Sequence, residues 1–153
     1  MLIFLLAAAL LSQDPEPALD CDKAMTTLDV NACMAKDLAT EEAQMERYLE
    51  AARTRAAAID ASSVSDWERT QAATYLKNGQ TAWEAYAAIV CDGVYDQWKG
   101  GTIRNAMYLG CKIEMTRERP RVIWRDYLTY ADSTPPILPE PTDPATDAPQ
   151  TNE

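Results

Sequence analysis

Four cysteines, 24 carboxylates and no histidine bound the chemistry open to this 153-residue chain. Without histidine there is no His-based acid/base catalysis, no Ser-His-Asp or Cys-His nucleophile system and no zinc site with an imidazole ligand. Cys21, Cys33, Cys91 and Cys111 lie at intervals of 12, 58 and 20 residues, whereas a four-thiolate zinc site needs two short paired spacings. Carboxylate-only chemistry of the glycosidase kind needs two acids at a fixed separation, and nothing here sets such a pair apart from ordinary helical spacing. Asp92 and Asp96 fall one helical turn apart, but two carboxylates make a poor calcium site, so they read as a solvated face. Gly100-Gly101 lacks the Lys and Ser/Thr of a phosphate loop and reads as a tight turn. The expectation is a protein without catalytic residues, metal or cofactor.

Charge narrows the partners. The chain holds 14 basic and 24 acidic residues, a net −10 at pH 7. Nucleic acid is a poor fit, because phosphate neutralisation by Lys and Arg supplies most of that affinity. The acidity is unevenly spread: segment 14–20 carries Asp14, Glu16 and Asp20, and the stretch 132–153 carries five acids and no base. All 14 bases lie within 21–131 beside 16 acids, so that part is only −2.

The termini read as separate from the folded part. Residues 2–11 are an uninterrupted apolar run followed by Ser12, Gln13, Pro15 and Pro17. Ten residues rise about 15 Å as a helix, half of a bilayer core, so the run is no membrane span. It suits the apolar region of a secretory signal peptide over 1–13, although no Lys or Arg precedes it. Asp20 before Cys21 argues against a lipoprotein. An acidic linker at 14–20 leads into a helical domain over 21–131. Beyond it, 132–153 holds six prolines and little apolar content except Ile137 and Leu138. That composition predicts a disordered tail.

Within 21–131 the periodicity is helical. Thr26 and Asp29 are spaced as a capping pair, and Leu28, Ala32, Ala35, Leu38, Met45, Leu49, Ala52, Ala56 and Ile59 form an apolar stripe. A second helix is expected from about Ser65 to Trp98, with Leu76, Gly79, Trp83, Tyr86 and Val90 as its packing seam. Gly79 there suggests close approach of a neighbouring helix. A third starts with Thr102 as N-cap and presents Ile103, Met107, Cys111 and Met115, with a kink or break at Pro120. Helices of about 32, 34 and 28 residues, roughly 48, 51 and 42 Å long, joined by short turns predict an all-α, up-down-up three-helix bundle. Cys91 and Cys111 flank Gly100-Gly101 at nearly equal distances and face each other in an antiparallel hairpin, leaving Cys21 with Cys33. Of the three possible pairings, this one fits the hairpin.

These residues resemble a known family. Cys21 with Thr27-Leu-Asp-Val-Asn31-Ala-Cys33 is similar to the opening of the LprI-like lysozyme-inhibitor family. Leu76-Lys-Asn-Gly79-Gln80-Thr-Ala-Trp83-Glu-Ala-Tyr86 followed by Cys91 is similar to its second block. Gly100-Gly101-Thr102, with Cys111-Lys-Ile-Glu-Met115-Thr116-Arg-Glu-Arg119, is similar to its third. The blocks span about 100 residues, and four cysteines in this order are specific. Two positions depart: Ala87 stands where the family often has Arg, and Pro120 is atypical. The resemblance implies a secreted or envelope-anchored helical domain, read here as periplasmic or secreted, with no cofactor, no catalytic residue, and structural roles for Asn31, Gly79, Gln80, Trp83, Tyr86, Gly100, Gly101, Thr116 and Arg119. Spacing alone places Gln80, Trp83 and Tyr86 in the core, with the Gln80 amide bonded to backbone or a tyrosine hydroxyl.

Two functions fit. One is inhibition of a lysozyme or other muramidase by protein–protein binding, with acidic residues steering the encounter toward a basic enzyme. The other is a non-enzymatic envelope interaction or scaffold module with a protein or anionic cell-wall partner. Arg117, Arg121 and Arg125, four residues apart, give 102–127 a local +3 against −3 over 22–60. That contrast fits either attraction between the first and third helices or an anionic partner.

Overall fold

The computed structural model describes residues 19–142. The expected signal peptide over 1–13, most of the acidic linker and the tail beyond 142 lie outside the described residues. Three helices carry the fold: α1, Thr27–Ala61; α2, Ala72–Trp98; and α3, Arg104–Ile123. Short 3-10 turns occupy Cys21–Lys23 and Asp66–Glu68, and α3 runs directly into a π turn at Trp124–Leu128. The topology is up-down-up. Along parallel α1 and α3 the register stays nearly constant, with Glu41 on Arg117 and Arg55 on the Thr129 carbonyl. The α2–α3 hairpin is antiparallel, joined by Cys91–Cys111 and by Gln80 with Arg119.

The α1 start follows the sequence closely. Thr26 Oγ1 accepts from the Asp29 N–H at 3.1 Å, and the Asp29 carboxylate accepts from the Thr26 N–H at 3.3 Å, a reciprocal capping box. Leu49, Ala52 and Ala56 of the expected stripe are buried, and Met45 packs against them. Its N-terminal part differs: Leu28, Ala32 and Ala35 face solvent, and Cys33 and Glu41 take the inner face.

The start of α2 comes later than Ser65. Asp60, near the end of α1, accepts hydrogen bonds from the Ala72 and Ala73 N–H groups at 2.7 and 3.1 Å and from the Thr70 hydroxyl at 2.7 Å. A carboxylate supplied from another helix thus satisfies donors at the α2 N-terminus. The inner face of α2 is Leu76, Gln80, Ala87 and Cys91, rotated from the predicted seam, with which it shares only Leu76. Gly79 is exposed, and a Cβ there would meet nothing within 4 Å, so no helix approaches it. Thr102 does not cap α3; Ile103 holds that position, and Arg104 spans the turn, donating to the Tyr95 hydroxyl at 3.0 Å and the Gly101 carbonyl at 3.2 Å.

α3 does not break at Pro120. Its ring is fully buried, and that burial offsets the hydrogen bond lost to Thr116. Regular α geometry ends four residues later, in the π turn.

A second correction concerns residues 132–142, expected to be disordered. They fold back as a strap along the bundle. The Ile137 N–H donates to the Leu128 carbonyl at 2.9 Å, and Leu138 packs on the core. The carbonyls of Leu138 and Pro139 accept from the Trp124 indole and the Tyr48 hydroxyl, both at 2.9 Å. Prolines already restrict this chain, so ordering it costs less entropy than its composition suggests.

Candidate functional site

The sequence motif residues separate into three groups once placed. Gln80, Trp83 and Arg119 come together between α2 and α3. The Arg119 Nε donates to Gln80 Oε1 at 3.0 Å, its guanidinium lies 5.4 Å from the Trp83 ring centroid, and Gln80 Nε2 donates to Glu84 at 3.1 Å. Gln80 is therefore buried as expected, but its partners are the side chains of Arg119, Glu84 and Met45 rather than backbone or a tyrosine. Burial holds the Arg119 guanidinium below the ordinary arginine range, with nearby Tyr127, Asp126 and Glu84 opposing that shift. Thr116 is buried one turn before Arg119.

Tyr86 and Gly79 belong to a second group that the structure puts on the outside. Tyr86 is 60% exposed and makes no part of the core. Gly100 and Gly101 form the α2–α3 turn, closed by the Gly101 N–H on the Trp98 carbonyl at 2.8 Å, and neither glycine adopts a positive φ. Asn31 stands alone near the Cys21–Cys33 end. Its Oδ1 is buried with no hydrogen-bond partner.

The cysteines pair as Cys21–Cys33 and Cys91–Cys111, with Cα atoms 5.7 and 5.6 Å apart. Among the described residues there is no free cysteine, and no group of three or more Cys, Asp or Glu could hold a metal ion. Asp96 is engaged by Lys99 at 2.6 Å. Among them, too, no helix is long and apolar enough to cross a membrane.

Sequence reasoning missed Glu41 and the strap. Glu41 is buried and receives the Arg117 Nε at 2.8 Å, bridging α1 to α3. Its signal was a gap in the apolar stripe, which jumps from Leu38 to Met45. The strap and α3 enclose an open groove of about 440 Å³ lined by Glu114, Arg117, Glu118, Arg121, Arg125 and Pro141. Arg117 is held by Glu41 and Arg125 by Asp126. Arg121 takes part in no ion pair among the described residues and makes only a 3.5 Å hydrogen bond to the Pro141 carbonyl. The groove thus offers one guanidinium outside any ion pair among the described residues, suited to an anionic group.

Comparison with known proteins follows this core closely. The family model for Lysozyme inhibitor LprI matches residues 20–122, from the first cysteine through α3 to just short of the π turn. The Rhizobium meliloti (strain 1021) protein described as "Uncharacterized protein R02472" is 30% identical over 112 residues, covering 71% of this chain and 77% of that protein. No solved structure gives a significant match. With both disulfides, the Gln80–Trp83–Arg119 cluster and the α2–α3 turn inside the matched residues, the chain belongs to the lysozyme inhibitor LprI family.

Proposed function

We propose that this protein is exported and inhibits a lysozyme or related muramidase by binding it as a rigid helical partner, without catalysis of its own. The observation that carries the reading is the family match over residues 20–122, which takes in both disulfides and the Gln80–Arg119 cluster. Two bridges in so small a domain suit an oxidising compartment, which supports export to the periplasm or beyond it. Acidic α1 residues such as Glu42 and Glu50 are exposed and favour encounter with a basic enzyme. The test is lysis of cell walls by lysozymes of several classes, titrated with the oxidised full chain at low and high salt. Stoichiometric inhibition that survives salt is the expected result. Inhibition abolished by salt, or none with any class, sinks the proposal.

One observation favours a second reading. The α3 groove holds Arg121, the one member of its arginine row outside any ion pair among the described residues, which suits an envelope module that binds an anionic cell-wall polymer. Binding of isolated cell-wall polymer that is lost in Arg121→Glu, in a protein without inhibitory activity, selects this reading over the first.

A further inference from the structure

α2 is apolar on two faces. The inner face packs in the bundle through Leu76, Gln80, Ala87 and Cys91. On the outside, Tyr75, Gly79, Ala82, Tyr86, Ile89 and Gly93 follow one another at steps of four and three, the spacing of a helix–helix seam. Tyr75, Tyr86 and Ile89 are 69, 60 and 73% exposed. Ala82 is exposed as well, and a Cβ added at Gly79 or Gly93 would meet nothing within 4 Å. No charged residue interrupts this row, which runs about 27 Å along the helix. Isolated exposed apolar side chains need no explanation, but a continuous uncharged row of this length marks a contact surface.

We propose that this row joins two copies of the chain, with α2 packed antiparallel on α2 of the second copy. The order of large and small residues selects both occupant and direction. In antiparallel seams each residue faces one on the other seam position of its partner. With the two-fold axis level with Glu84, Tyr75 faces Gly93, Gly79 faces Ile89 and Ala82 faces Tyr86. Every layer then joins one large side chain to one small residue, and each large group enters space that the partner leaves open. A parallel arrangement would instead set Tyr86 on Tyr86 and Gly79 on Gly79, alternating clash with void. The flank is compatible too: Asn78 comes opposite Asp92 and Ala85 opposite Ala85, so no like charges meet beside the axis.

Area sets the strength. With roughly 200 Å² for an aromatic side chain, the row and its flanks cover on the order of 500 Å² per protomer. The total of about 1,000 Å² is the lower edge of specific interfaces, so the dimer is reversible and forms with rising concentration.

Sedimentation equilibrium of the oxidised full chain from about 1 µM to about 1 mM, the range of a reversible dimer, tests the proposal. The mass is expected to rise from one protomer toward two. Tyr86→Glu is expected to weaken association by about tenfold or more while leaving the helical spectrum unchanged, because Tyr86 is exposed in the single chain. Gly79→Leu fills the space that Ile89 of the second copy needs and is expected to weaken association, although leucine is the better helix former. Pairing it with Ile89→Ala exchanges large for small within the same layer and is expected to restore the dimer. A monomer throughout the range, a dimer indifferent to Tyr86→Glu, or a double variant no better than Gly79→Leu overturns the proposal. A monomer whose Tyr86→Glu variant loses lysozyme inhibition also overturns it and assigns the row to the enzyme.

Discussion

Around the α1–α2 connection, Tyr48, Leu49, Ala52, Ala56, Leu76, Ile123 and Leu128 form a continuous apolar core, and Leu138 of the strap packs on it. Around the α2–α3 turn the buried apolar residues are Cys33, Ala87, Cys91 and Ile113, and both disulfides lie at that end. A layer of paired polar groups separates the two ends: Glu41 with Arg117, and Gln80 with Arg119. The chain has a single phenylalanine, Phe4, and none falls among the described residues. So few large side chains fill one end of the bundle, while the other is closed by covalent bonds. One half is stabilised by packing of the native state, the other chiefly by restriction of the unfolded chain.

The strongest way to break this comparison is to reduce both bridges. The loops they close span 12 and 20 residues, and each is worth about 3 kcal/mol in the chain-entropy model. Hydrogen exchange is expected to rise sharply over the early turns of α1 and across the α2–α3 hairpin end, while the amides around Leu49 and Ala52 keep their protection. Uniform loss of protection along all three helices would show that the two ends are one cooperative unit.

The converse is Leu49→Ala, a truncation at a fully buried core position, with an expected cost of about 3 kcal/mol. Denaturant unfolding of the oxidised variant is expected to show a lower midpoint, with the loss of exchange protection concentrated at the core end and in the strap. Equal loss around Cys91 and Cys111 would mean that the polar layer transmits the defect rather than insulating against it.

Much of this division is legible in the sequence, because its signals are local. The Thr26–Asp29 capping box, the α2–α3 turn and the nearly equal spacing of Cys91 and Cys111 about Gly100-Gly101 each depend on residues near one another. What escapes is rotational phase. α2 carries apolar residues on two faces, and the predicted seam through Gly79 and Tyr86 falls between them, so it mixes Leu76 of the core with exposed Tyr86. Periodicity detects a stripe but does not tell which of two stripes meets the bundle. The strap escapes for another reason. Its attachment rests on backbone carbonyls of Leu138 and Pro139 accepting from Trp124 and Tyr48, and composition carries no trace of such acceptors. Burial raises the Tyr48 hydroxyl above its ordinary value, with Arg47 opposing, so the phenol stays a donor to Pro139. The arginine row was visible, but not which member stays outside an ion pair among the described residues. That depends on Glu41 and Asp126 reaching Arg117 and Arg125 and leaving Arg121 aside.

The smallest expected effect probes the junction that sets α2 on α1 at the apolar end. Hydrogen bonds from Thr70, Ala73 and Ala72 hold the Asp60 carboxyl below its ordinary value of 3.8, with desolvation opposing them. A carboxylate with a lowered folded-state pKa favours folding fully above its unfolded pKa, and the contribution fades as pH falls through the folded value. Asp60→Ala is therefore expected to melt slightly below the parent protein at about pH 7, with the gap closing as pH falls below about 4. Asp132, whose carboxyl is likewise lowered by the Thr134 hydrogen bonds, titrates in both proteins and cancels from the difference. Thermal melts of the two proteins across that range measure the gap directly. A gap that stays constant on acidification would place the role of Asp60 in packing the connection, and the apolar end would then hold α2 in register without its charge.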